Sequence, residues 1–104
     1  MDINKLREVL CMERIEWRRH ALERMMQRGI SRYEVINALK NGEIIEEYKN
    51  DKPFESALLF YKEEKVLHIV FSFDEVSNII YIITVYEPDT KHFHNDYKTR
   101  RNNG

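Results

Sequence analysis

A chain of 104 residues with 42% hydrophobic and 34% charged side chains has the length of one domain and the composition of a folded one, neither disordered nor membrane-embedded. Its most apolar stretch, Ile79 to Val85, is far shorter than the roughly 20 residues of a membrane span, and nothing near Met1 has the apolar run of a secretory leader. A single cysteine, Cys11, excludes an internal disulfide and a multi-cysteine zinc site, so a cytoplasmic protein is expected.

Asp2 is placed to cap a first helix whose apolar positions Ile3, Leu6, Val9 and Leu10 recur at three- and four-residue spacing. Cys11 falls among these and reads as a small core residue. A second helix is predicted from about Trp17 to Gln27, with Leu22, Met25 and Met26 as its apolar stripe and Gly29 at the left-handed position that ends helices. Ser31 followed by Glu34 forms a capping box for a third helix, which buries Val35, Ile36 and Leu39 and closes at Asn41-Gly42. From Glu43 the pattern alternates, and four strands are predicted at about 43–48, 56–61, 66–73 and 78–86. Short turns at Glu63-Glu64 and at 74–77 imply antiparallel hairpins. Helices followed by a meander give an α+β domain: N-terminal helices packed on one face of a four-stranded antiparallel sheet.

Alternation assigns Leu67, Ile69, Phe71 and Phe73, with Ile79, Tyr81, Ile83 and Val85, to the core under the helices. The open face then carries Val66, His68, Val70 and Ser72 beside Ile80, Ile82, Thr84 and Tyr86, with His68 opposite Thr84. Val66, Val70, Ile80 and Ile82 would give that face enough apolar area to serve as a docking surface.

The net charge of −1 is unevenly spread. Residues 14–32 hold six arginines against Glu16 and Glu23, residues 43–75 hold nine acids against four lysines, and residues 91–104 hold four cations against Asp96. Two basic stretches around an acidic middle predict that the second helix and the tail meet at the rim of the open face. On that helix His20, Arg24 and Arg28 stand at i, i+4 and i+8, forming one polar ridge. Arginines hold phosphate by bidentate hydrogen bonds. A cation one turn from His20 favours the neutral imidazole, which can accept a proton. His68 is a lone strand histidine; its company with Thr84 and Tyr86 adds to a functional reading, although such a residue is more often packed or solvated. His92 and His94 form an H-x-H pair with no third ligand nearby, so no metal site is expected there. Arg100 and Arg101 either bind phosphate or keep the terminus soluble.

The string His20-Ala-Leu-Glu-Arg-Met-Met-Gln-Arg-Gly-Ile-Ser, with Val35, Leu39 and Asn41-Gly42-Glu43-Ile44-Ile45, is distinctive. Together with Leu67-His68, Thr84-Val85-Tyr86-Glu87-Pro88-Asp89 and Arg100-Arg101, it resembles a small prokaryotic family known only as a domain of unknown function. That family is grouped with the RelE-like and barnase-like ribonuclease toxins. The resemblance spans about residues 15–101, leaving the helix in 1–13 as an N-terminal addition to a single 1–104 domain. Phe93 stands where the family usually has a tryptophan, and the near-neutral net charge differs from that of strongly basic ribosome-dependent toxins.

The resemblance implies a RelE/barnase-like fold and a metal-independent endoribonuclease of a toxin–antitoxin pair, cleaving RNA through a 2′,3′-cyclic phosphate without a cofactor. It marks His20, His68 and Tyr86 as the catalytic set and Arg24, Arg28 and Arg101 as phosphate ligands. It also implies an RNA substrate and a small antitoxin partner of the zinc-finger or helix-turn-helix kind. The alternative class is a non-catalytic protein- or RNA-interaction module.

Overall fold

The computed structural model describes residues 1–102; Asn103 and Gly104, at the end of the expected domain, lie outside the described residues. Three helices, α1 (Ile3–Cys11), α2 (Arg19–Arg28) and α3 (Arg32–Asn41), accompany five strands: β1 (Ile15–Trp17), β2 (Glu43–Tyr48), β3 (Ser56–Lys62), β4 (Val66–Asp74) and β5 (Ile79–Tyr86). The sheet order is β1-β5-β4-β3-β2. Strands β2 to β5 form the antiparallel meander, while β1 pairs parallel to β5 through Ile15↔Ile80 and Trp17↔Ile82.

The fold is therefore α+β with a mixed five-stranded sheet, which corrects the expectation of four antiparallel strands. Three residues are too few to show alternation, and Trp17, expected to open the second helix, is instead the last residue of β1. The helix begins at Arg19, after Arg18 takes an extended conformation and donates its N–H to the Ile82 carbonyl.

The caps follow their predicted chemistry. Asp2 accepts from the N–H groups of Asn4 and Lys5, and the Ser31 hydroxyl accepts from Glu34 N–H at 3.0 Å. The Glu34 carboxylate completes no box and reaches Lys65 instead. Gly29 ends α2 at φ 65°. Gly42 is required by space: a Cβ there would lie 2.6 Å from the carbonyl oxygens of both Ala38 and Phe60. Cys11 is exposed, on the outer side of α1, so the expected core role is corrected.

The core lies between the helices and one sheet face. Leu6, Val9 and Leu10 of α1, Ala21 and Met25 of α2, and Val35, Ala38 and Leu39 of α3 meet Leu59, Ile69, Phe71, Ile80, Ile82 and Val85. A break in the β4–β5 register changes the expected face assignment. Val70 pairs with Thr84, but Phe71 pairs with Ile82, leaving Ile83 as a bulge. An extra residue inverts facing on one side of it. Ile80 and Ile82 consequently enter the core, both fully buried, and Tyr81 turns to the open face. The expected docking surface loses these two isoleucines, while Val66 and Val70 remain half-buried. His68 stands opposite Tyr86, not Thr84.

A second bulge, at Ile45 in β2, works the same way and turns Glu46 and Tyr48 to the open face. Three rows cross that face: Glu43-Phe60-His68-Tyr86, Glu46-Leu58-Val70-Thr84 and Tyr48-Ser56-Ser72-Tyr81.

Candidate nucleic-acid interface

The tail after β5 folds back over the first of these rows. Asp89 starts it by accepting from the N–H groups of Lys91 and His92. Asp96 makes a second turn, accepting from Lys98 N–H, Thr99 N–H and the Thr99 hydroxyl, and these bonds pull its carboxyl down to about 2. Phe93 pairs with Arg100 as an isolated bridge and is buried against the His68 ring, centroids 4.6 Å apart and edge to face. Lys98 reaches Glu43 at 2.9 Å and Arg100 reaches Glu46 at 2.7 Å. The β2 bulge presents Glu46 to this pairing. Partial burial would raise the Glu46 carboxyl, but its bonds to Arg100 and Tyr48 overcome that and hold it below the ordinary carboxylate range. The same bond to Glu46 raises Arg100 further, fixing its charge.

His68 lies beneath this strap at 0% exposure. Its Nε2 is 2.6 Å from the Tyr97 carbonyl oxygen and its Nδ1 is 3.1 Å from the Tyr86 hydroxyl. A carbonyl only accepts, so Nε2 carries the proton, and Nδ1 of the neutral ring accepts from Tyr86 O–H. Burial pushes the imidazole below the ordinary histidine range, over the opposing effect of the Tyr97 bond. Burial likewise raises the Tyr86 phenol. The two shifts oppose proton transfer from tyrosine to histidine. His68 therefore holds the tail and orients Tyr86, whose oxygen retains accepting capacity.

Beside the strap, a cleft of about 260 Å³ is lined by Arg24, Arg28, Tyr86, His92, Phe93 and Arg100, among others. The ridge and the tail thus meet at this rim. Arg101 is not part of the lining. Its Nε donates to the carbonyls of Thr90 and Phe93, at 2.6 and 3.1 Å, clamping the tail turn. His20, one turn before Arg24, lines a second cavity, with Tyr81 and Ile83. The structure therefore places Arg24, Arg28 and Tyr86 in one cleft, with His20 next to it, His68 sealed below and Arg101 in support.

Two tail residues take a larger part in this cleft than their sequence pattern shows. In sequence His92 reads only as half of an H-x-H pair, yet its Nδ1 lies 2.8 Å from Asp89 Oδ1. This bond holds the Asp89 carboxyl below the ordinary carboxylate range. The signal available was an Asp three residues before a His in a Pro-Asp turn. Arg100, read with Arg101 as either a phosphate ligand or a solubilising cation, is ordered by Glu46 and stacks 4.9 Å over the Phe93 ring. Its partner lies in β2, far away in sequence. Among the described residues, no group of three or more His, Cys, Asp or Glu side chains is arranged to hold a metal ion.

The family described as Domain of unknown function (DUF4258) matches residues 17–87, from the end of β1 through β5. The chain belongs to this family. The matched span contains the α2 ridge, His68 and Tyr86, whereas the Asp89–His92 pair and Arg100 fall after it. No curated protein and no solved structure matches the chain. No helix among the described residues is long and apolar enough to cross a membrane.

Proposed function

We propose that the protein is a toxin-type, metal-independent endoribonuclease of the RelE/barnase-like kind, acting in the cytoplasm and cleaving single-stranded RNA at the cleft between α2 and the tail. The observation that carries this reading is the convergence of Arg24, Arg28 and Arg100 with Tyr86 and His92 at one rim of the sheet. Guanidinium groups around a cleft suit a phosphodiester, whose charge grows in the transition state. His20, next to Arg24, serves as base and takes the ribose 2′-hydroxyl proton. The 2′-oxygen then bonds to phosphorus and the bond to the 5′-oxygen breaks. His92, held in place by its bond to Asp89, returns a proton to that oxygen. The products are a 2′,3′-cyclic phosphate and a free 5′-hydroxyl, so atoms and charge balance without a cofactor. Tyr86, held by His68, accepts a hydrogen bond from the 2′-hydroxyl of the following nucleotide. Arg101 supports the phosphate site through the tail turn.

Such an activity needs restraint in its host, which implies a small antitoxin protein, of zinc-finger or helix-turn-helix type by the family resemblance. Expression in a bacterium tests the activity: wild type arrests growth, and His92→Ala and Arg28→Ala relieve the arrest at equal protein levels. Growth unaffected by soluble wild-type protein would remove the toxin reading. A non-catalytic interaction module is the second reading, favoured by the complete enclosure of His68. It requires RNA or protein binding with no RNA product.

A further inference from the structure

At the other end of the open face from the arginine cleft is a cavity of about 450 Å³ with a different chemistry. Phe54 and Tyr81 stack on one wall, with ring centroids 5.4 Å apart and planes 5° from parallel. The exposed Arg18 guanidinium lies over the Tyr81 ring, 5.1 Å from its centroid. The lining also includes Ser56 and Ser72, whose buried hydroxyls lie 2.8 Å apart. One O–H satisfies their mutual bond, leaving one further donor and several lone pairs. His20, Asp51 and Lys52 add polar groups to the lining, and Pro53 and Ile83 apolar ones.

Stacked rings, a displaceable guanidinium and hydroxyls with spare donor and acceptor capacity meet the needs of a flat heterocycle with polar edges. We infer that this cavity is a nucleobase subsite, taking the base of the nucleotide whose 2′-hydroxyl faces His20. The base slides between Arg18 and Tyr81, keeping a cation on one face and an aromatic ring on the other. Ser72 meets its edge. His20, in the lining, stands one turn of α2, about 6 Å of rise, from Arg24 in the cleft. The Tyr81 and Tyr86 rows lie four β4 residues apart, about 13 Å, so a strand of about two or three nucleotides covers both sites. The β5 bulge makes this possible, because it turns Tyr81 out of the core.

The inference rests on the RNA reading but is tested apart from cleavage. The four nucleoside 5′-monophosphates, ribose 5-phosphate and inorganic phosphate are titrated into isotope-labelled protein and followed by NMR. At least one nucleotide should shift the amides of Phe54, Ser72 and Tyr81 and bind at least about fivefold more tightly than ribose 5-phosphate, the lower end of one stacking contact. Phe54→Ala and Tyr81→Ala should reduce that nucleotide to the affinity of ribose 5-phosphate, while Tyr81→Phe keeps the preference. Equal affinity for nucleotide and ribose 5-phosphate, or shifts confined to Arg24, Arg28 and Tyr86, would overturn the subsite. Base-dependent binding by a protein that cleaves no RNA would retain it and remove the ribonuclease. Cleavage with no base-dependent binding would do the reverse.

Discussion

The Nε2–H of His68 donates to the carbonyl of Tyr97, 29 residues later in the chain and 2.6 Å away, which ties the tail to the middle of the sheet. Tyr97 holds a left-handed φ of 59° at this contact, a conformation that costs a non-glycine residue energy and persists where the surroundings impose it. The tail is thereby a wall of the arginine cleft, held by one buried neutral imidazole, Phe93 and two ion pairs.

His68→Ala should cost about 2–4 kcal/mol, combining a cavity with unpaired groups at Tyr86 and Tyr97. The loss should be accompanied by faster amide exchange in residues 93–101 at unchanged exchange in α1. Denaturant unfolding and hydrogen exchange measure both. Uniform loss of protection across the molecule would mean that the tail is not a separately anchored unit.

The His68 shift sets a pH dependence. The folded value lies below the unfolded value, so between the two the unfolded chain binds more protons, and stability rises with pH. The contribution is complete above the unfolded value of about 6.5 and declines as pH falls below it. Asp96, with its carboxyl at about 2, loses its contribution only in stronger acid, below the ordinary Asp range. Unfolding free energy of wild type should therefore increase from pH 5 to pH 7, and His68→Gln should flatten that slope.

Much of the fold was legible in the sequence because its signals are local. Ser31 before Glu34, Gly29 after Arg28 and Asp2 before Ile3 each act within one turn. The errors arose where pairing decides. Nothing within Ile79-Ile80-Tyr81-Ile82-Ile83 tells which isoleucines face inward, since all suit a core; the bulge opposite Val70 and Phe71 decides. β1 is defined only by β5 beside it. The ridge His20, Arg24 and Arg28 was readable from helical period. Arg100 and His92 enter the cleft through a tail without periodicity, and Arg100 is aimed by Glu46 in β2.

The bulge itself can be tested. Ile82→Asp places a charge in the core and should unfold the protein, a loss of about 4 kcal/mol or more. Thr84→Asp, on the half-buried open face, should leave a cooperative transition with a small loss. The opposite ranking in thermal melts would assign Ile82 to the open face.

Salt dependence separates the arginines. For single-stranded RNA each neutralised phosphate contributes about 0.7 to the slope of log affinity against log salt. Arg24→Ala and Arg28→Ala should each lower the slope by about that amount. Arg101→Ala should weaken binding with little change in slope, since its Nε is spent on the Thr90 and Phe93 carbonyls. A loss of slope in Arg101→Ala equal to that in Arg28→Ala would make Arg101 a direct phosphate ligand.

The central claim, that the cleft between α2 and the tail cleaves RNA, is tested most directly by incubating purified protein with a labelled single-stranded RNA in EDTA and identifying the ends of any product. Wild type should yield fragments ending in 2′,3′-cyclic phosphate and 5′-hydroxyl, and His20→Ala and His92→Ala should each reduce them about 100-fold or more, the usual scale for loss of an acid or base. Intact RNA, or cleavage unchanged in both histidine variants, would contradict it.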